Sequence, residues 1–248
     1  MIRMARPPAA HRIVLVLALM IALAGMPQVA HAAALAPPTA QTAEAVRLAV
    51  ILGVLAIIPA ILISTTSFIR IVVVLAMVRH AFGMPQTPPN AVLTSLALFM
   101  TAFVMSPPLS AVNANALQPL LNGTATVTQA MEGGAAPLKA FMLRHTRDKD
   151  LETVYQISGS PLPERAEEVE LFKLTPAFML NELRVAFTIG FVILLPFLLI
   201  DLVVASVLLA LGMMMVPPAT ISLPIKVLMF VLIDGWSLVM EGLLGSFG

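Results

Sequence analysis

Few side chains in this sequence stand where they could do chemistry, and the most informative are Asp201 and Lys226. Each is a lone charge in apolar surroundings: residues 185–200 precede Asp201, residues 202–211 follow it, and residues 221–233 enclose Lys226. A charge at the centre of a membrane-spanning helix costs roughly 2.5–3.5 kcal/mol on insertion scales, so such groups face protein or water and take a partner. Between the two runs lie Gly212, Met213, Met214, Met215, Val216, Pro217 and Pro218. Two prolines cannot continue a helix, so the runs read as the arms of a helical hairpin. A turn near Met215 sets Asp201 opposite about residue 230, roughly one helical turn (~5.4 Å) from Lys226. The spacing allows the pair to close within one hairpin or between neighbouring copies. Isolated, water-exposed charges are the plainer alternative. Arg70 is a third candidate for a buried charge, with an exposed position near a helix end as its alternative.

The three methionines suggest a different use. Methionine is flexible and polarisable, so a cluster usually fills core. Here the cluster sits on a proline-closed turn. Non-helical backbone at membrane depth is tolerated only where it is buried in protein or lines a cavity. Met213, Met214 and Met215 are therefore expected to form a deformable seal.

Other chemistries find little support. Cysteine is absent, which removes disulfides, iron–sulfur clusters and thiolate zinc sites. Two of the four histidines, His11 and His31, fall in the N-terminal stretch, and His80 lies in a short loop with no second ligand spaced to join it. No HExxH, GxSxG, Walker A or GxGxxG pattern occurs. Glu164, Glu167, Glu168 and Glu170 lack the oxygen-rich, glycine-turned loop of a calcium site and read as a hydrated face. Asp201 has no second group with which to relay protons. No metal, cofactor or catalytic residue is expected, and no enzymatic activity.

The composition sets the class. Hydrophobic residues make up 59% of the 248 positions and charged residues only 11%, against about 25% charged in soluble domains. Mean hydropathy is +0.98. The net charge of +1 supplies no field for nucleic acid. The expected fold is all-α: a membrane protein of kinked helical hairpins, about four hydrophobic helical segments after a cleaved signal peptide, with a small helical extracytoplasmic subdomain.

In chain order, residues 1–32 read as a signal peptide: Arg3, Arg6 and Arg12, a short apolar core, then Ala30-His31-Ala32 as a small-x-small cleavage site. Cleavage leaves the mature N-terminus outside the cytoplasm. Residues 33–45 read as a linker. Residues 46–112 read as a first hairpin, broken at Pro59, with Arg79 and His80 marking a cytoplasmic loop. Residues 113–174 are the polar subdomain: loop-like to residue 134, a helical face of Leu138, Phe141, Met142 and His145, then a short helix over 164–172. Residues 175–248 are the second hairpin, opening at Thr175-Pro176 as cap and first helical residue.

Two segments carry a resemblance at fixed order and spacing. Residues 67–109, SFIRIVVVLAMVRHAFGMPQTPPNAVLTSLALFMTAFVMSPPL, and residues 176–236, from PAFMLNELRV to VLIDGW, are similar to the FliP family, export-gate proteins of the flagellar type III secretion apparatus. The resemblance implies a core subunit of an export gate: a homo-pentamer assembled with FliQ and FliR and other export-apparatus membrane proteins. The gate would conduct unfolded secreted flagellar proteins across the bacterial inner membrane within the flagellar basal body. It implies that Met213, Met214 and Met215 form the pore gasket. It implies that Asp201 and Lys226 are charged positions holding neighbouring subunits, and that Phe141 and Glu182 lie at subunit contacts. Injectisome counterparts share much of this core, but typically lack a signal peptide, so the N-terminal stretch favours the flagellar branch. An ion-coupled secondary transporter and a membrane scaffold without a conduit are the readings from other classes.

Overall fold

The computed structural model describes residues 40–248 apart from Pro85. The expected signal peptide and most of the expected linker lie outside the described residues. The chain divides into two compact units, Met1–Ile57 and Ile58–Gly248. Among the described residues all regular structure is helical, as the composition requires.

Of the first unit, the described part is the opening stretch of α1 (Ala40–Thr65). The helix begins inside the stretch read as linker. Its apolar side chains, among them Leu48, Leu52 and Leu55, are exposed.

The second unit takes in the end of α1, which passes Pro59 without breaking. The hydroxyls of Ser64, Thr65 and Thr66 donate to the carbonyls of Ile61 and Leu62 at 2.5–3.1 Å. They satisfy the helix end rather than the carbonyl displaced by the proline. Then come α2 (Phe68–Ala81) and α3 (Asn90–Val104). α4 (Ser106–Val112) continues through a π-helical turn, Asn113–Leu117, into α5 (Gln118–Leu121). α6 (Val127–Arg144) and α7 (Asp148–Ile157) follow, with a 3-10 turn at Ala166–Glu168. The long α8 (Leu171–Ala210), α9 (Pro218–Leu232) and α10 (Gly235–Gly245) complete the unit.

Among the described residues, two helices are long and apolar enough to cross a membrane, Glu44–Thr65 and Leu171–Ala210. Two bent pairs bring the number to four if each pair is one span. Asn90–Val104 meets Ser106–Leu121 at 64°, and Pro218–Leu232 meets Gly235–Gly245 at 67°. The second bend turns on Asp234, whose φ of 51° is left-handed, and on Gly235, where any Cβ would overlap the Phe230 ring.

Two cores result. α2 buries Ile71, Val74, Leu75, Val78 and Ala81, a helical stripe that lies along α8 against Ala186 and Phe197. Gly190 makes this approach possible, because a Cβ there would overlap the Met77 sulfur. Phe82, Phe197, Phe230 and Trp236 close one end as edge-on aromatic pairs 4.7–5.4 Å apart, Phe197 through Phe82. The second core belongs to the polar lobe: Met105, Phe141, Met142, Tyr155, Val169, Leu174 and Phe178.

Besides α1, the starts of α8 and α6 and the stretch 164–172 differ from the sequence-based expectation. α8 starts at Leu171, not at Thr175; Thr175 donates instead to the Leu171 carbonyl at 2.9 Å. The early turns carry Leu174, Ala177 and Phe178 into buried positions, and that burial outweighs the rung lost at Pro176. α6 begins at Val127 in a stretch read as loop. Thr126 and Gln129 form a reciprocal capping box there, a T-x-x-Q signal visible in the sequence. The helix expected over 164–172 is only the 3-10 turn and the start of α8.

Candidate functional site

The methionine turn is built by helix-ending geometry. Gly212 takes φ +73°, the Met213 N–H donates to the Leu208 carbonyl at 2.9 Å, and the Gly212 N–H donates to Leu209 at 3.0 Å. This is a Schellman closure with glycine where L side chains are strained. Pro217 precedes α9 in extended geometry, and Pro218, its first residue, needs no N–H partner. The three methionines between these stops belong to neither helix. They are 43%, 80% and 95% exposed for Met213, Met214 and Met215.

Below the turn, Lys226 Nζ lies 2.6 Å from Asp201 Oδ2 within one hairpin. The lysine side chain is 7% exposed and the aspartate 41%. The aspartate opens on a pocket of about 350 Å³ lined by Phe82, Gly83, Ala205, Pro218 and Ser222. A buried ammonium thus faces a carboxylate that keeps one side free for water or another donor.

A second charge pair sits nineteen residues earlier on α8. Arg70 Nε donates to Glu182 Oε2 at 2.8 Å, and the other arm of the guanidinium engages Oε1. The remaining nitrogen donates to the Ser246 carbonyl at 2.7 Å and its hydroxyl at 3.0 Å. The guanidinium carbon stands 3.8 Å from the Phe247 ring centroid. Arg70 is 2% exposed and Glu182 fully buried. Every face of the arginine is therefore used: bidentate carboxylate, backbone, hydroxyl and aromatic ring. The pair ties α2, α8 and the C-terminal end of α10 together.

Its neighbours extend the tie into the polar lobe. Asn181 donates to the His145 carbonyl. Arg184 pairs with buried Asp150 at 2.7 Å. Phe141 is 7% exposed, packed on His145 with ring centroids 4.4 Å apart and edge-on to Phe178 at 6.0 Å. Glu182 and Phe141, two positions expected at subunit contacts, are thus enclosed within the single chain. Arg70 was visible as a buried-charge candidate. Its partner was not, because the two lie 112 residues apart. The signal available was a count: Glu182 is one of few acids in the apolar half of the chain. Among the described residues, no group of three or more His, Cys, Asp or Glu could hold a metal ion.

Long apolar helices, ionisable groups paired inside the chain and a bare thioether turn define an all-α membrane protein. A sequence model of the FliP family matches residues 51–243. The chain is 50% identical over 206 residues to the flagellar biosynthetic protein FliP of Caulobacter vibrioides, covering 83% of this chain and 77% of that one. It is 47% identical over 202 residues to the protein of the same name from Bacillus subtilis, 82% of this chain and 91% of that one. With that of Aquifex aeolicus the identity is 43% over 206 residues, 82% and 86% of the two chains. The chain belongs to the FliP family.

Proposed function

We propose that this chain is a core subunit of the flagellar type III export gate. Several copies, a pentamer by resemblance, assemble with FliQ and FliR into a conduit that passes unfolded flagellar components across the bacterial inner membrane. The observation that carries this reading is the methionine turn. Three adjacent soft side chains lie at a hairpin tip, and two of them stand clear of it, Met214 at 80% and Met215 at 95% exposed. Such side chains in a lone membrane subunit would be a liability; around an axis shared by several copies they meet and close it. The flagellar names of the relatives support the flagellar over the injectisome branch.

The half-open Asp201–Lys226 pair fits a joint between copies. Asp201 has a free side, and a neighbouring subunit can complete it without breaking the bond to Lys226. The test has two parts. Native mass of the detergent-extracted complex is expected to show several copies of this chain in one particle. Replacing Met213, Met214 and Met215 together by Ala is expected to leave that particle intact while small ions leak through the membrane. A monomeric particle, or unchanged conductance in the triple variant, would overturn the reading.

A further inference from the structure

The chain contains sixteen methionines and no cysteine, so every sulfur in it is a thioether. Among the described methionines only four are exposed: Met131, Met213, Met214 and Met215. Met100, Met105 and Met142 are at most 3% exposed. Three of the four exposed methionines are therefore consecutive, on one turn, with Met214 and Met215 the most open at 80% and 95%. Thioether oxidation follows accessibility, and it converts a flexible apolar side chain into a polar, chiral one.

We propose that Met213, Met214 and Met215 are a modification site, at which a peroxide-class oxidant converts the seal from closed to leaky. This inference rests on the gasket reading given above. The step balances with hydrogen peroxide as co-reactant. The thioether sulfur gives a lone pair to one peroxide oxygen, the O–O bond breaks, and an S–O bond forms. The second oxygen leaves as hydroxide and takes the proton from the oxygen now on sulfur, which gives water and the sulfoxide. Sulfur is oxidised by two electrons and peroxide is reduced.

The consequence follows from what the turn offers. A sulfoxide oxygen is a strong acceptor, and Met214 and Met215 stand clear of both helices, so water is its ready partner. Each subunit brings three such side chains to the same place, and a ring of subunits multiplies them. An apolar constriction that holds back ions by excluding water is lost once its lining hydrates. The change is reversible, because methionine sulfoxide is reduced enzymatically, one reductase for each epimer.

The test uses the assembled complex in membrane vesicles treated with hydrogen peroxide. Peptide mass spectrometry is expected to show Met214 and Met215 gaining oxygen about tenfold faster than Met105 or Met142, with Met131 as the exposed control. Ion leakage is expected to rise in step and to fall after treatment with the two sulfoxide reductases. A variant with Leu at all three positions keeps similar apolar volume and is expected to stay sealed under peroxide. Oxidation no faster than at Met105 overturns the inference. So does full oxidation without leakage in vesicles where the Ala variant leaks, and that result leaves the gasket standing. Absence of leakage from both oxidation and the Ala variant removes the two readings together.

Discussion

α8 supplies the acid of two charge pairs, and they are built differently. Glu182 and Arg70 are sealed on all sides, with side-chain exposures of 0% and 3%. Asp201 and Lys226 are half open, with the acid at 41%. Between them the helix carries one other charge, Arg184, and then only apolar or small neutral residues. The contrast separates two tasks. A fully enclosed pair loses a great deal if either partner is removed, because the survivor is a buried, unpaired charge. A half-open pair can trade one partner for water or a second protein, so it suits a contact that must form and reform. The first belongs to the subunit's own integrity, the second to its surface.

The largest expected effect tests that division directly. Arg70→Ala or Glu182→Ala should destabilise the subunit by about 3–5 kcal/mol, read as lost resistance to heat or protease in detergent. The paired change Arg70→Met with Glu182→Leu should recover much of that loss, since it removes both charges at similar volume. If the double variant is as weak as either single one, the pair is more than a satisfied buried charge. Next in size is Gly190→Leu, between the two pairs. It drives a side chain into Met77 and should cost about 1–3 kcal/mol, and Met77→Ala in the same chain should relieve part of it.

Asp201→Asn leaves the buried Lys226 ammonium without its counter-charge, but the amide oxygen still accepts from it and the open side admits water. It should therefore cost the isolated subunit less than the Arg70 or Glu182 variants and weaken assembly more than stability. Asp201→Lys should impair assembly, and adding Lys226→Asp should partly restore it. No recovery in native mass would argue that the two groups do not act as a pair. Smallest is the response to ionic strength. Raising salt from 0.15 M to about 1 M shrinks the screening length from ~8 to ~3 Å. It should loosen the assembly through the exposed Asp201 and leave the Arg70-dependent stability unchanged. Equal sensitivity in both measurements would erase the distinction drawn here.

Much of this was legible in the residues. Apolar runs without a strand period, broken by Gly-Met-Met-Met-Val-Pro-Pro, specified a helical hairpin and its turn. Counting residues back from the turn brought Asp201 within a helical turn of Lys226. Helix boundaries were harder. Pro59 was read as a break and Pro176 as the first helical residue, yet α1 and α8 run through them. In a packed or lipid-facing helix the lost rung is outweighed by burial and by the cost of exposing more backbone. The partner of Arg70 could not be read at all. Pairing across 112 residues is fixed by how α2 lies along α8, and no local pattern carries that information. The start of α6 was missed for a simpler reason: glycines 133 and 134 and Pro137 mask a capping signal that stood in plain view at Thr126 and Gln129.

One element joins the polar lobe to the thioether tip without interruption. α8 runs for forty residues, ~60 Å at 1.5 Å per residue. From Glu182 to Met213 is ~46 Å of that length. A swing of about 5° at the clamped end would carry the far end by ~4 Å, roughly the diameter of a methyl group. Pro196 lies within that length and leaves one rung of the helix unmade. The lobe is in this sense a handle, and a small push on it is magnified into a full atom's width at the tip.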